Sequence, residues 1–526
     1  MKVLNENKLK SGLKIEPTHY YVRFRPKDEK ERHLIVRDTT LYVYDYPLDV
    51  EIKRGGTHYH DPKIPKNEIT WQYTIVPIDY EFPKVQYQKL ADLYLPEYGR
   101  ELTELKSARI EHFDWLKLEN EALRITGNIE EKTQNESTLK STSWRPAGNI
   151  KVFDDIIDSY STRIKIFSHY DYFYCDTGEP VNTSDPTVEA PAEEENTGEI
   201  PEGENICARP IYNYITSSVN SHYIPLEGVE VRARRWFTTY SDITDANGNY
   251  VCNGTFDRDA NYSIKWERAD FDIRDGSYGQ AYFNGPDMTG DWNLVIRDEG
   301  LSPKSFLFAH IFRAAYTYYY KNYLWGIKTP DERGFLEQRL HIGGRVESNF
   351  ASHFFDFNVL FQSSTVLIHQ NDKNSQEIFG TTIHELAHVS HWDAGGFSDI
   401  NWLLDNRMTE SWAEGVEAVI TNDVYDTNNY GTNQNRTIAS MTTDGGDFDG
   451  YTSIVWDLID NVNQRMDLYG GNTAYVNDRV SGYTLSQIEN ALPSLLGSWW
   501  TWRSNLVDDN NNPTEGYVTE LFQQLN

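Results

Sequence analysis

Three residues in the run His384-Glu385-Leu386-Ala387-His388 have the types and spacing for hydrolytic chemistry. The surrounding Gln376–Trp392 reads as one helix, with Phe379, Ile383, Leu386 or Ala387 and Ser390 recurring at helical spacing on a core face. His384 and His388, four residues apart, then lie one turn apart on the opposite side. Two imidazoles on one face can occupy two corners of a zinc tetrahedron, and Glu385 beside them can act on a metal-bound water as general base. The same pentapeptide also arises in ordinary helices, so it needs a further ligand. Met408–Tyr425 reads as a second helix that places Glu410, Glu414 and Glu417 on one face at i, i+4 and i+7. Carboxylates stacked in this way repel one another, which a neighbouring cation relieves.

These two stretches resemble the gluzincin clan of zinc metallopeptidases, in which a glutamate from a later helix, in a stretch like E-G-x-A/S-D/E, completes the ligand set. Glu410-Ser411-Trp412-Ala413-Glu414 matches that stretch except that serine replaces glycine. The resemblance implies Glu410 as third zinc ligand and Glu414 as the carboxylate behind a ligand histidine, a partner that metal-bound histidines generally have. The metzincin pattern fails, because it needs glycine at His391 and histidine at Ala394. His391 is on the metal side but about 10 Å along the axis from His384, and is read as a histidine at the cleft rim.

If zinc is held by His384, His388 and Glu410, a fourth position stays open to a water of lowered pKa, and Glu385 moves its proton to the leaving amine. A developing oxyanion needs another donor. No histidine follows His391, which leaves Tyr451, Tyr430 and Arg407 as candidates. The expected function is peptide hydrolysis on a peptide or protein substrate. Two alternatives remain at this stage: an envelope binding or scaffold protein with an inactive or structural zinc site, and a zinc hydrolase acting on a non-peptide substrate.

The chain has 526 residues, enough for several cores, with 39% hydrophobic and 14% aromatic residues. A net charge of −31, from 80 acidic against 49 basic residues, argues against a nucleic-acid partner, which requires a basic footprint. There is no apolar run of about eighteen residues to span a membrane. Cys175, Cys207 and Cys252 make neither a disulfide scaffold nor a zinc knuckle; Cys175 and Cys207 flank the least structured segment and could clip its base in an oxidising compartment.

The expected fold class is α+β and multidomain. Residues 1–175 form an N-terminal accessory region, with strands at Leu41–Tyr46 and Ile69–Pro77, helices at Gln88–Leu95 and Glu101–Arg124, and strand or helix over Val152–Ile166. His58 and His60 alternate as on a strand and with Asp61 could bind a metal, but an exposed pair is the preferred reading. Residues 176–207 are an acidic, proline-containing linker or disordered loop without a basic residue before Ala208. Residues 208–295 carry Pro225-Leu226-Glu227-Gly228-Val229-Glu230-Val231, the turn Asp245-Ala246-Asn247-Gly248-Asn249-Tyr250 and a strand at Tyr262–Trp266. This order resembles the carboxypeptidase-regulatory-like, or prealbumin-like, β-sandwich.

Residues 296–526 are read as a zincin-like domain with a mostly helical C-terminal half. It has a core-backing aromatic helix at Ser305–Tyr323, strands at Phe354–Leu360 and Ser364–Ile368, and helices near Thr452–Leu468 and Leu485–Trp502. Val366–Ile368 is expected to be the sheet edge that holds an extended substrate. Calcium (Ca2+) is weighed at Asp245 and Asn247 and at Asp444, Asp447 and Asp449, and a turn and a cleft-side loop are preferred; Val507–Gly516 has Pro513 where a calcium loop needs glycine. The domain set resembles secreted or lipid-anchored metallopeptidases of Gram-negative bacteria, which implies a secreted, periplasmic or cell-surface location and zinc (Zn2+) as cofactor. Oligomeric state is not legible in the sequence.

Overall fold

The computed structural model describes residues 17–49, 59–65, 67–95, 143–174, 206–276, 279–297, 304–330, 339–346, 352–354, 366–394, 405–442, 450–493 and 497–526. Expectations for His58, Glu101–Arg124, Cys175, the linker 176–205, most of Phe354–Leu360, and Asp444, Asp447 and Asp449 lie outside these residues. The fold is mixed α and β, and the chain divides into two compact units, Ile157–His222 and the remainder.

Unit Ile157–His222 is a long antiparallel hairpin of β5 (Ser159–Tyr174) and β6 (Ile206–Asn220), in register from Ser159 opposite Asn220 to Tyr174 opposite Ile206. The ambiguous Val152–Ile166 is therefore strand on both sides of a short break.

In the other unit, β1 (His19–Arg25) lies between β2 (Gln72–Pro77) and β3 (Gln86–Leu93) in an antiparallel sheet. β2 fulfils the strand expected within Ile69–Pro77, whereas Leu41–Tyr46 contributes only a bridge from Tyr44 to Tyr73. The helix expected at Gln88–Leu95 is instead β3. As a largely exposed edge strand it carries no in-and-out alternation, and pairing with β1 overrides local propensity.

Two four-stranded sheets follow. One contains β4 (Ala147–Phe153), β7 (Tyr223–Pro225), β10 (Asn249–Val251) and β15 (Trp292–Ile296); the other contains β8 (Glu230–Arg235), β9 (Thr238–Ile243), β11 (Ala260–Lys265) and β14 (Tyr282–Met288). They meet through aromatic rings, Tyr262 against Trp292 at 5.3 Å and Phe283 against Trp292 at 5.9 Å between centroids. The expected turn is present: the Asp245 carboxylate accepts from the Asn247 and Asn249 amides, and Gly248 takes a φ of +77°. β4 comes from residues before the acidic segment, yet it is hydrogen-bonded between strands that follow that segment.

A five-stranded sheet carries the elements around the histidines. Its order is β13 (Gly279–Gln280), β12 (Phe271–Asp275), β16 (Leu340–Arg345), β18 (Val366–His369), β17 (His353–Phe354), with β12, β16 and β18 parallel. The expectation that Val366–Ile368 is a sheet edge is thus corrected. β17 pairs antiparallel along the outer side of β18, Leu367 opposite His353, so β17 is the edge among the described residues.

The first helix, α1 (Glu29–Val36), is capped by Asp28 and reaches this sheet through buried charges. Glu29 lies 3.2 Å from His341 Nε2 and 3.4 Å from Arg274 Nη2, and Arg32 Nη1 lies 3.3 Å from Asp272 Oδ2. Burial alone would raise the Glu29 pKa, but Arg274, His341 and Arg32 bring it from the ordinary 4.5 down to about 2. A carboxyl with a depressed folded pKa contributes stability above its unfolded value, and that contribution disappears as pH falls towards 2. Melting temperature followed from pH 5 to pH 2 should accordingly drop less steeply in Glu29→Gln than in the native chain.

Helix α2 (Lys304–Lys321) backs the sheet, as its aromatic content suggests: Phe306, Phe308, Ile311, Phe312 and Tyr318 are buried, and Phe308 and Ile311 approach Gly344 of β16. Helices α3 (Ser375–Ala394) and α4 (Asn406–Tyr425) follow, then α5 (Ile438–Thr442), α6 (Ile454–Ile459), a single π-turn at Gln464–Leu468, α7 (Leu485–Asn490), α8 (Trp499–Asp508) and α9 (Val518–Gln524). The helix expected over Thr452–Leu468 is broken by the extended conformation of Asp460. The helix expected over Leu485–Trp502 is interrupted between Ala491 and Ser498, where Pro493 intervenes and Ser498 caps a new helix by accepting from Thr501 N–H.

One buried knot joins these elements. The fully buried Asp154, just after β4, pairs with Arg313 of α2 at 2.7 Å and accepts from Ser375 Oγ at the start of α3 and from Tyr425 Oη at the end of α4. Removing one member of a buried pair leaves its partner uncompensated. Asp154→Ala should therefore lower unfolding free energy by about 3 kcal/mol, read by denaturant titration.

Candidate metal centre

The sequence of α3 sets its start and its orientation. The Asn374 side chain accepts from Glu377 N–H while the Glu377 carboxylate accepts from Asn374 N–H, a reciprocal cap. Phe379, Ile383, Leu386 and Ala387 are fully buried, as their spacing requires. That burial turns His384, Glu385 and His388 together to the other side, with His384 only 7% and Glu385 5% exposed. Helix α4 is capped by Asp405 and buries Met408, Trp412, Ala413 and Val416. It packs closely on α6 because Gly415 has no Cβ, which would stand 2.2 Å from Val455 Cβ. The carboxylates of Glu410, Glu414 and Glu417 then face α3.

His384, His388 and Glu410 come together as a group that could hold a metal ion. His384 Nε2 and His388 Nε2 are 3.1 Å apart, and Glu410 Oε2 lies 3.4 Å from the first and 3.3 Å from the second. Tetrahedral zinc with bonds of about 2.0–2.1 Å separates its donors by about 3.3–3.4 Å. Three donors at nearly that spacing, two of them imidazole and one carboxylate, fit zinc. Burial works against both charged forms here, yet the two histidines hold the Glu410 carboxyl well below the usual range, and Glu410 and Glu417 hold the His384 imidazole well above its own.

The residue behind His384 differs from the expectation. Glu417 Oε2 stands 3.2 Å from His384 Nδ1 and Glu414 Oε2 3.8 Å, so Glu417 is the nearer carboxylate. Both sit on the predicted face; the crossing of the two helices brings the later one to the ring. Tyr430 Oη donates to Glu417 Oε1 at 2.9 Å, and the absence of a side chain at Gly380 leaves room for this pair, since a Cβ there would stand 2.5 Å from Tyr430 Oη and 2.6 Å from Glu417 Oε1.

Tyr430 is thereby removed from the candidate oxyanion donors: its hydroxyl is bound to the carboxylate on the Nδ1 side of His384. Arg407 is engaged at the C-terminus. Its guanidinium donates to Asn526 Oδ1 and lies over Trp499. Tyr451 stays beside the cluster, its ring edge-on to His384 with centroids 5.7 Å apart. Ser411, where the resembled stretch has glycine, places it: the buried hydroxyl donates to Gly450 C=O at 3.0 Å and bonds Thr452 Oγ1 at 2.8 Å, bracketing Tyr451.

His391 is buried and outside the cluster, near the Pro493 carbonyl, and burial lowers its pKa to about 4, so it is neutral at pH 7. His60 Nε2 contacts the carbonyls of Ile64 and Pro65, a loop-closing role. Sequence reasoning missed the Glu417–Tyr430 pair, Gly380 and Asp154. The face occupied by Glu417 was visible, but its reach was not. No helix among the described residues is long and apolar enough to cross a membrane. Compared with protein-family models, with curated proteins and with solved structures, the chain matches none.

Proposed function

We propose that this chain is a zinc-dependent metallopeptidase of gluzincin type. The observation that carries the proposal is the mutual spacing of 3.1–3.4 Å among His384 Nε2, His388 Nε2 and Glu410 Oε2. Zinc held there supplies a Lewis acid and a water of lowered pKa. Glu385, next to the first ligand and nearly buried, takes a proton from the attacking water and returns it to the leaving amine. Glu417, anchored by Tyr430, orients the His384 ring. Tyr451 is the remaining candidate donor to the carbonyl oxygen as it becomes negative. The role of holding an extended substrate passes from Val366–Ile368 to the outer edge of β17. The two four-stranded sheets support the prealbumin-like reading of the middle region.

The test is metal content per chain together with cleavage of a peptide library, with and without chelator. One zinc per chain, cleavage abolished by chelation and restored by zinc are expected. Zinc bound without hydrolysis would favour a scaffold, and hydrolysis confined to esters or glycosides would move the substrate class.

A further inference from the structure

Ser411 follows Glu410 on α4 and is fully buried, so the bonds of its hydroxyl are made within the protein. A serine hydroxyl offers one donor and two acceptor positions. All three go to the residues on either side of Tyr451. The hydroxyl donates to Gly450 C=O at 3.0 Å, accepts from Thr452 N–H at 3.2 Å and meets Thr452 Oγ1 at 2.8 Å. The last of these runs from Thr452 to Ser411, because the single Ser411 proton is engaged by Gly450. Thr452 Oγ1 in turn accepts from Ile454 N–H at 3.3 Å, where α6 begins.

Two observations independent of Ser411 seat the same segment, residues 450–452. Arg436 Nη1 donates to Tyr451 C=O at 3.3 Å and its Nη2 to Ser440 C=O at 2.8 Å, which ties Tyr451 to α5. Gly450 has a φ of +83° and rests against Glu410 itself, since a Cβ there would stand 3.2 Å from Glu410 Cβ and Cγ. The Tyr451 backbone is thus held on both flanks and through its own carbonyl. Its ring, left with two side-chain torsions, stands edge-on to His384.

We infer that Ser411 is a positioning residue for Tyr451: it locks the tyrosine backbone to the helix that carries Glu410, so that the phenol is a fixed donor and not one that swings in. The kinetic consequence rests on the peptidase reading above; the geometry does not. A donor to a developing oxyanion works only at hydrogen-bond distance from it, and a misplacement of about 1 Å can cost about 10²-fold in rate.

The test combines kinetics with fluorine NMR on the full chain. Tyr451→Phe should lower kcat by about 10²–10³-fold, the cost of one oxyanion donor. Ser411→Ala should lower it by roughly 10–10²-fold, with zinc per chain and KM unchanged. Residues that act as a unit are not additive, so Ser411→Ala should have no further effect in the Tyr451→Phe background. An equal fall in both backgrounds, or no fall in the native one, overturns the assignment. 3-Fluorotyrosine placed at position 451 alone should give one resonance displaced from that of a solvent-exposed tyrosine. Ser411→Ala should broaden that line or return it towards the exposed position, with or without zinc and with or without cleavage. A line that ignores Ser411→Ala overturns the positioning role even in an active peptidase, whereas a responsive line in an inactive chain would retire the peptidase reading and leave the positioning in place. Thr452→Val, nearly isosteric and lacking one of the three bonds, is read in the same two ways and decides should Ser411→Ala fail to fold.

Discussion

Exchange of Glu385 for glutamine should leave zinc content unchanged and lower peptide hydrolysis by roughly 10²–10⁴-fold, the scale of one general acid–base group. The two side chains are nearly isosteric, so the helix and its buried face should be undisturbed. A carboxamide cannot accept the proton of the attacking water, however, and His384, His388 and Glu410 are untouched. Zinc per chain and kcat/KM measured on the same preparation decide the matter. Turnover equal to that of the native chain would remove Glu385 from the proposed mechanism, and loss of zinc would show that its role lies in holding the site together.

The second large effect separates two glutamates that occupy the same face of α4. Glu417→Gln should weaken zinc binding by about 10–100-fold, as loss of a carboxylate behind a ligand histidine generally does. Glu414→Gln should change it much less, because Glu414 Oε2 lies 3.8 Å from His384 Nδ1 against 3.2 Å for Glu417. Competition with a chromophoric chelator gives both affinities. The reverse order would restore the assignment drawn from the gluzincin resemblance. The Tyr430 hydroxyl should keep the Glu417 variant in shape by bonding the new amide, so that the loss registers at the metal and not as unfolding.

Much of the candidate site is legible without coordinates because its signals are local. Spacing of four along a helix puts His384 and His388 on one side whatever the rest of the chain does, and the buried Phe379, Ile383 and Leu386 settle which side is turned to the core. The strand–turn–strand pattern around Asp245–Tyr250 is similarly local. Where partners are remote, the reading fails. Gln88–Leu95 is a strand because β1 pairs with it, and Val366–Ile368 is interior because β17 covers it.

By itself, the amino-acid order determined the two helices, the pair of imidazoles with their neighbouring base, and a second helix face bearing three carboxylates. The resemblance already implied Glu410 beside the imidazole pair; tertiary structure alone brought Glu417 rather than Glu414 to Nδ1 and gave Tyr430 to Glu417. The physical reason is that the offset and crossing of α3 and α4 are set by contacts distant in sequence. Asp154 draws together Arg313, Ser375 and Tyr425, the bare backbone of Gly415 admits Val455, and that of Gly380 admits Tyr430. Helical periodicity specifies a face, and only the packing of one helix on another specifies which side chain on that face makes contact.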